Sequence, residues 1–330
     1  MTHRIKIYFT LILYATCTLA FAAEDPDDNI DLFIDIQRKK GHSKDEIKEF
    51  LKPAKKNEAV LKAIRKPWER QPWYKYRTIF LTPERIQAGV KFWKKHKSVI
   101  QRAAKTYSVD AEIIVSIIGV ETFFGRYMGE FNIRDALYTI GIHYPPRSRY
   151  FIKELSSYME LAHKGHVNPD TMVGSYAGAM GYGQFMPSSY LHYAVDFNND
   201  GKIDLNTIDD AIGSVANYFN KHGWRYKDHV VVPAKASISD NRAVHLLWGS
   251  NPPRFTLGDW KKRGIEPDSK KKYKENKLAL FFKLKESLKD QKYWLGFHNF
   301  YVISRYNHSQ LYSMAAYLLS QEIKKAFYKQ

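Results

Sequence analysis

The chain is almost free of cysteine, since its 330 residues include only Cys17. One cysteine cannot close a disulfide within the chain, and cysteine-ligated zinc sites need several thiolates in close spacing. Small folds stabilised by disulfide bonds, and zinc fingers, are therefore excluded. The fold must depend on an apolar core, which a chain of this length is long enough to bury.

Several catalytic signatures are missing as well. The sequence contains no HExxH, no GxSxG, no P-loop and no complete dinucleotide fingerprint. Each of these motifs supplies metal ligands, a nucleophile or phosphate contacts to a known class of enzyme. The 12 histidines are scattered singly along the chain, and we interpret them as surface or core residues rather than as metal ligands.

Acidic residues are few relative to basic ones. With 34 Asp and Glu against 52 Lys and Arg, the net charge is +18, and such an excess favours an anionic partner. On charge alone, nucleic acid is one candidate partner. Aromatic residues make up 15% of the chain and can serve either a core or a platform for flat ligands, so composition does not choose between these uses.

The amino terminus has the pattern of a targeting segment. An uncharged and mostly apolar stretch, 7–21, follows Arg4 and Lys6 and ends at the small-x-small sequence 20–22. This pattern predicts a cleaved signal peptide at 1–22, because the stretch is too short for a membrane span. The protein is therefore expected in the periplasm, with a charge of about +16 after cleavage. An uncleaved anchor is the alternative, and the residues before Cys17 match a lipoprotein signal poorly.

Hydrophobic periodicity predicts a mainly helical chain. One helix is predicted to start with Thr82 as N-cap and Pro83 in the first turn and to continue through Ala104, and another near Ser108. Further helices are predicted at 45–51 and 309–327. Apolar runs in a small β-containing region predict strands at 230–232, 278–284 and 301–304. The basic stretch 261–277 is interpreted as a solvated loop.

One carboxylate lies on the buried face of the helix near Ser108. Glu121 follows Ile117 by four residues and Ile118 by three, so the three side chains share one side of the helix. Burial disfavours the charged form of a carboxyl group and raises its pKa, which suits a general acid. Glu121 is therefore a catalytic candidate. An ion pair with a neighbour such as Arg126 is the alternative.

A glycine-rich segment follows at 174–190. Its glycines allow the backbone to approach an extended ligand closely, and Gln184 offers a donor and an acceptor that suit hydroxyl and amide groups. Tight packing between helices would explain the same glycines.

Together, VETFFGR at 120–126 and the segment 174–190 resemble the membrane-bound lytic murein transglycosylase B family. The resemblance runs from about Tyr76 to Trp224 and resumes at 299–309. It implies a mainly α fold, with a lysozyme-like helical core, an added helical domain and a small β-containing insertion. The implied division is a signal peptide at 1–22, an N-terminal helical segment at 23–80, a catalytic core at 81–228, a β-containing region at 229–307 and a C-terminal helix at 308–330.

The family's activity is cleavage of the β-1,4 bond between MurNAc and GlcNAc in peptidoglycan, without water, to leave 1,6-anhydro-MurNAc ends. The resemblance therefore implies an enzyme that acts on glycan strands without a catalytic cofactor. We expect a monomer with no nucleic-acid partner. Partnership with cell-wall synthases and association with the outer membrane stay open.

The resemblance also assigns roles to residues. The catalytic glutamate falls on Glu121, and the glycan-groove residues fall on Tyr76, Ser175, Gln184 and Tyr306. The family has an arginine pair that contacts the stem peptide. Only Arg147 is present here, so the peptide contact stays open.

Two alternatives concern the chemistry. Ordinary glycosidases use two carboxylates, and the sequence leaves Glu130 and Asp135 open as partners of Glu121 in a lysozyme-type hydrolase. A lytic transglycosylase needs Glu121 alone, because the C6 hydroxyl of MurNAc attacks C1. A non-catalytic peptidoglycan-binding protein is the other alternative, and the complete motif around Glu121 argues against it.

A structural calcium site is predicted in an EF-hand-like loop at 196–210. Gly201 occupies the turn position, and Thr207 stands where an EF-hand has its last glutamate. The resembling family uses a longer loop, whose late ligand falls on Asp210. An Asx turn without an ion is the alternative. The predicted ligands are Asp196, Asn198, Asp200, the carbonyl of Lys202, and Asp210.

Overall fold

The computed structural model describes residues 25–65, 71–237 and 251–329. The predicted signal peptide and Cys17 lie outside these residues. Helices dominate the described chain, accompanied by a two-stranded and a five-stranded antiparallel sheet, so the predicted mainly α class is confirmed. Within the described ranges, none of the helices has the length and apolar character needed to span a bilayer.

The described residues form two compact units. Unit 1 comprises 25–65 and 121–217, and unit 2 comprises 71–120, 218–237 and 251–329. The chain passes between the units within two helices, α7 (Ala111–Thr122) and α11 (Ile208–Lys221). The five-part division implied by the family resemblance stays a prediction.

Unit 1 is a helical assembly in which α1 (Pro26–Lys39), α8 (Ile133–His143) and α10 (Pro187–Tyr193) pack on α9 (Ser148–His163). The ring of Phe50 lies 6.2 Å from that of Phe33 and 6.3 Å from that of Tyr158, which joins α2 to α1 and α9 in one core. Beyond α7 and α11, the helices of unit 1 are α1 (Pro26–Lys39), α2 (Lys44–Leu51), α3 (Glu58–Ile64), α8 (Ile133–His143), α9 (Ser148–His163) and α10 (Pro187–Tyr193).

The predicted helix at 45–51 is confirmed as α2. Its start is a capping box, in which Ser43 Oγ accepts a hydrogen bond from the backbone of Glu46 and the Glu46 carboxylate accepts one from the backbone of Ser43. Ile47 and Phe50 are buried, as the apolar spacing predicts.

Unit 2 combines helices with the larger sheet. The helix α14 (Gln310–Lys329) packs on α4 (Trp73–Phe80), α5 (Pro83–Lys95) and α13 (His298–Tyr306). Trp93 of α5 stacks on Phe327 of α14 with 4.4 Å between ring centroids. The predicted start of α5 is confirmed, since Thr82 Oγ1 accepts from the backbone of Arg85 and Pro83 is the first helical residue. The remaining helices are α4 (Trp73–Phe80), α5 (Pro83–Lys95), α6 (Lys97–Tyr107), α12 (Leu257–Lys261), α13 (His298–Tyr306) and α14 (Gln310–Lys329).

The five-stranded sheet of unit 2 has the order β4-β6-β7-β3-β5 with antiparallel pairing throughout. Trp260 packs in its core and donates its indole N–H to the carbonyl of Ala279 at 2.9 Å. The strands predicted at 230–232 and 278–284 are confirmed. The strands are β3 (Val231–Ala236), β4 (Phe255–Thr256), β5 (Ile265–Pro267), β6 (Leu278–Lys285) and β7 (Gln291–Gly296).

Two local predictions are wrong. The predicted strand at 301–304 lies in the helix α13, where Phe300 and Ile303 are buried three residues apart, because a four-residue apolar run does not distinguish strand from helix. The basic stretch 261–277 is not wholly a solvated loop, since it includes β5 and the fully buried Ile265. The helix predicted near Ser108 is found as α7, although Ser108 itself ends α6 in a left-handed conformation with φ 53°.

The predicted long helix from Thr82 to Ala104 is also interrupted. It is divided at His96, which separates α5 from α6 with φ −110° and ψ 26°. The helix that carries Glu121 begins at Ala111, three residues after Ser108.

Candidate active site

Glu121 is the penultimate residue of α7, and its side chain is 4% exposed. Every residue from 112 to 123 is buried, so this helix is enclosed around its whole circumference rather than along one face. Burying a carboxylate costs free energy unless it is hydrogen-bonded or paired. A carboxylate at such a position is a candidate functional group.

The chain after α7 turns through three consecutive residues with positive φ, Phe123 (51°), Phe124 (60°) and Gly125 (90°). Glycine adopts this conformation readily, whereas a side chain with a Cβ adopts it at a cost of about 1–2 kcal/mol. Backbone strain of this kind concentrates at functional sites. Thr122 supports the turn, since its hydroxyl accepts from the backbone of Gly125 at 3.0 Å and donates to the carbonyl of Tyr182 at 3.1 Å.

The glycine-rich segment 174–190 lies directly against this turn. A Cβ at Gly125 would lie 2.1 Å from Cε1 of Tyr182, so only glycine lets that ring pack on the backbone. Two short strands, β1 (Phe131–Asn132) and β2 (Val173–Gly174), pair nearby in antiparallel register. The structure thus brings the two segments that carry the family resemblance together.

Gln184 and Ser175 shape the glycine-rich segment from inside, since each is 2% exposed. The Gln184 amide donates to the carbonyls of Gly181 (2.9 Å) and Met128 (3.2 Å), so both of its hydrogens are used within the protein. Ser175 Oγ accepts from the backbone of Ala179 at 2.9 Å. The carbonyl oxygen of Gln184 is the group it can offer to a ligand, so the donor role expected from sequence is not available in this arrangement.

The other predicted substrate residues are carried by other elements. Arg147 ends a 3₁₀ turn before α9, and its guanidinium lies 5.1 Å from the ring centre of Phe151. Tyr76 and Tyr306 belong to unit 2, and both are 4% exposed. The ring of Tyr76 lies 5.1 Å from Phe80, and that of Tyr306 lies 5.8 Å from Phe219. Their roles toward a substrate stay predictions.

The two candidate partner carboxylates differ in their surroundings. Asp135 is in the first turn of α8, and its Oδ1 accepts from the backbone of Lys55 at 2.9 Å, which ties the segment before α3 to α8. Glu130 is exposed. Asp135 is therefore engaged in holding unit 1 together.

The predicted metal loop has the backbone conformation of tight Asx turns. The Asp196 carboxylate accepts from the backbones of Asp200 (3.2 Å) and Gly201 (2.8 Å), and Gly201 has φ 86°. Asp200 accepts from the side chain of Asn198 and the backbone of Lys202, both at 2.9 Å. The hydrogen bond from Asn198 holds the pKa of the Asp200 carboxyl below its usual value. The loop therefore carries several side-chain oxygens of the donor type that calcium prefers.

Asp210 closes the loop from α11. It is 1% exposed, and its carboxylate accepts from the backbones of Phe197 (2.7 Å), Asn198 (3.3 Å) and Asp204 (2.9 Å). Three of its roughly four lone-pair sites are therefore used. Asp210 can give an ion one contact at most in this arrangement, whereas an EF-hand closes with a bidentate glutamate.

Sequence analysis missed Thr122 and the packing of Tyr182 on Gly125. A threonine next to the candidate acid at a helix end, followed by a glycine, is a weak signal for such a turn. The partner of Thr122 is 60 residues away in sequence. No local pattern identifies it.

Comparison with known proteins gives one family. Residues 26–321 match the family model described as Transglycosylase SLT domain. The chain is 40% identical over 309 residues to membrane-bound lytic murein transglycosylase B of Escherichia coli, with 90% of this chain and 83% of that protein covered.

Solved structures agree with this result. Escherichia coli lytic transglycosylase Slt35 in complex with calcium has a TM-score of 0.79 at 40% identity and covers 92% of this chain and 95% of its own. Pseudomonas aeruginosa SltB3 in complex with NAG-NAM-pentapeptide has a TM-score of 0.76 at 27% identity, with 91% of this chain and 80% of that one covered. The predicted lysozyme-like fold with a small sheet insertion is confirmed by these similarities.

Proposed function

Since this chain belongs to the SLT family of lytic murein transglycosylases, enzymes that degrade peptidoglycan, we propose that it cleaves the MurNAc–GlcNAc β-1,4 bond and leaves 1,6-anhydro-MurNAc ends. The observation that carries the proposal is the buried carboxylate of Glu121 at the end of α7, next to the left-handed turn 123–125. The turn 123–125 and the glycine-rich segment 174–190 pack against each other just after Glu121 in the chain.

Glu121 is the general acid of the first step. Its side chain is 4% exposed, and burial in general disfavours the charged form of a carboxyl group. The proton passes to the glycosidic oxygen as the bond between that oxygen and C1 of MurNAc breaks. The GlcNAc fragment then leaves with a neutral hydroxyl, and Glu121 is left as a carboxylate.

The same residue is the base of the second step. The Glu121 carboxylate takes the proton of the MurNAc C6 hydroxyl while that oxygen forms a bond to C1. Because nucleophile and electrophile belong to one sugar, the step is intramolecular and needs no captured water. One carboxylate therefore completes the cycle, which agrees with the engagement of Asp135 in a backbone contact to Lys55.

The substrate proposed is the glycan strand. SltB3 of Pseudomonas aeruginosa was solved with a NAG-NAM-pentapeptide, which supports a related ligand for this chain. We assign glycan contacts to Ser175 and Gln184 of unit 1 and to Tyr76 and Tyr306 of unit 2, and a stem-peptide contact to Arg147. Export by the signal peptide 1–22 would deliver the enzyme to this substrate in the periplasm.

We assign a structural calcium ion to the loop 196–210. Oxygens of Asp196, Asn198 and Asp200 and the carbonyl of Lys202 would hold it, with Asp210 organising the loop through three backbone hydrogen bonds. The calcium complex of Slt35 supports this assignment. The ion would take no part in the proton transfers.

Product analysis tests the proposal. Purified sacculi are digested, and the muropeptides are analysed by mass spectrometry before and after borohydride reduction. We expect ends that are lighter by one water than hydrolytic ends and that borohydride does not change, because an anhydro end has no free aldehyde. A digest dominated by reducible MurNAc ends would show hydrolysis instead, and a second carboxylate would then be required.

A further inference from the structure

Three side chains of metal-binding types meet in unit 1 on elements that do not carry Glu121. His42 lies between α1 and α2, Glu46 is in the first turn of α2, and His163 is the last residue of α9. One ligand atom from each lies within 4.8 Å of the other two, and within the described ranges no other such group of histidine, cysteine or acidic residues occurs. The sequence had suggested that the histidines stand singly, but His42 and His163 lie close together.

We propose that His42, Glu46 and His163 bind a divalent zinc ion. Two imidazoles and one carboxylate form a ligand set that zinc accepts, with water in the fourth position. His163 Nδ1 lies 4.0 Å from Glu46 Oε1, and the two imidazole rings lie 5.1 Å apart. Ligand atoms around tetrahedral zinc are about 3.3 Å apart, given bonds of about 2.0–2.1 Å. Shortening separations of up to 4.8 Å to this distance takes movements of up to about 1.5 Å, which small side-chain rotations supply.

The backbone already positions these side chains. Glu46 Oε2 accepts from the backbone of Ser43 at 2.7 Å, which fixes the carboxylate and leaves Oε1 on the side of His163. His42 follows Gly41, whose φ is 94°, and its backbone donates to the carbonyl of Gln37. Hydrogen bonds that orient a ligand in this way raise metal affinity, because less conformational freedom is lost on binding.

Nearby positive charges are compensated by another residue. Lys40 and Lys164 both form ion pairs with Glu160, at 3.1 Å and 2.9 Å, one turn before His163 on α9. Their charge is therefore directed to Glu160 and not to Glu46. The Glu46 carboxylate stays available to a cation, and it is 47% exposed, so an ion reaches it from solvent.

A bound ion would link three elements of unit 1, in addition to the ion pair between Lys40 and Glu160 that already joins the end of α1 to α9. It would join the start of α2 and the loop after α1 to the end of α9. Because zinc would bind the folded arrangement and not the separated residues, it would stabilise the amino-terminal helices on α9. The role would be structural and independent of the proposed transglycosylase activity.

The test is calorimetric titration of zinc chloride into the untagged mature chain, with calcium in excess so that the loop 196–210 is supplied. We expect one zinc ion per chain. Two variants remove a ligand, namely His163→Ala and Glu46→Gln, and the glutamine keeps the capping box because its side-chain oxygen still accepts from Ser43. Affinity should fall at least about tenfold in each. His192→Ala, an exposed histidine on α10, is the control and should leave binding unchanged.

Thermal unfolding gives a second readout. Zinc should raise the melting temperature of the wild-type chain and of His192→Ala but not of His163→Ala. Zinc binding that His163→Ala and Glu46→Gln leave unaltered would overturn the proposal, as would the absence of any zinc binding. An equal loss in His192→Ala would show dispersed binding to surface histidines and would overturn it as well.

Discussion

At the scale of single residues, Glu121 carries the proposed chemistry. Glu121→Gln keeps the shape of the side chain and removes the proton that it donates. General acid–base catalysis contributes about 10²–10⁴-fold, so we expect release of muropeptides from sacculi to fall by about that factor. The melting temperature should change little, which thermal unfolding would check.

Glu130→Gln is the matched control, since it makes the same change at an exposed carboxylate nine residues away. Turnover should stay within a few-fold of wild type. If Glu130→Gln abolished turnover while Glu121→Gln did not, the acid would have been assigned to the wrong residue. If both abolished it, two carboxylates would be required, as in a hydrolase.

Sequence position and side-chain type predict the burial of Glu121 but not its surroundings. Two phenylalanines at positive φ are unexpected, because a Cβ disfavours that conformation. The two amide hydrogen bonds of Gln184 to Gly181 and Met128 depend on how the turn folds back, which no local pattern encodes.

At the scale of elements, the loop 196–210 gives a metal-dependent prediction. Chelation of calcium should lower the melting temperature, because an ion that binds only the folded loop stabilises it. Asp200→Ala should lose this calcium dependence, and Asp31→Ala, an exposed aspartate on α1, should keep it. Thermal unfolding with and without chelator measures both. A chelated wild-type chain whose melting curve calcium does not move would identify the loop as an Asx turn alone.

The start of α10 depends on a carboxylate from another helix. Its own N-cap residue, Met186, forms no side-chain cap, and Glu154 of α9 accepts instead from the backbone (2.9 Å) and hydroxyl (2.7 Å) of Ser188. Glu154→Ala should lower the free energy of unfolding by about 1–3 kcal/mol, because the donors of Ser188 lose a buried partner. Glu160→Ala on the same helix breaks only partly exposed surface ion pairs and should cost about 0–1 kcal/mol. Urea unfolding compares them, and equal losses would contradict the capping role.

The same residue has a pH signature. Burial raises the pKa of the Glu154 carboxyl above its ordinary 4.5, against the opposing hydrogen bonds from Ser188. Above pH 4.5 the folded chain therefore binds more protons at this site than the unfolded chain, so this contribution to stability falls as pH rises. The loss of unfolding free energy caused by Glu154→Gln should therefore become smaller as the pH rises above 4.5. A loss that grew with pH would contradict the raised pKa.

Elements with strong end signals could be predicted from sequence, and those without them could not. The Thr82–Pro83 start of α5 and the continuous apolar run of β6 follow from local rules. The helix α13 was missed because its buried residues are set by packing inside unit 2, and a short apolar run carries no period of its own.

At the scale of the whole molecule, the charge of +18 gives the last prediction. If electrostatic attraction concentrates the enzyme on anionic sacculi, retention should fall as salt rises from about 0.1 M to about 1 M, where the Debye length shortens from about 10 Å to about 3 Å. Glu121→Gln is the form to use in a pull-down assay, because it binds without digesting the support. Retention independent of salt would show that sugar contacts dominate.

The mainly α class could be predicted from periodicity, and the family from two motifs. The assembly of the described chain into two units could not, because it rests on packing between residues far apart in sequence. No local signal marks a unit boundary inside α7 or α11, since both are continuous helices.

That interleaving has a consequence for how such a protein is made and inherited. Unit 1 uses residues on both sides of 71–120, and unit 2 uses residues on both sides of 121–217. A growing chain therefore cannot finish either unit from one uninterrupted stretch of that unit's own residues, and exchange of a single gene segment cannot transfer one whole unit without residues of the other. In evolution, the two units should therefore be gained, lost or recombined together.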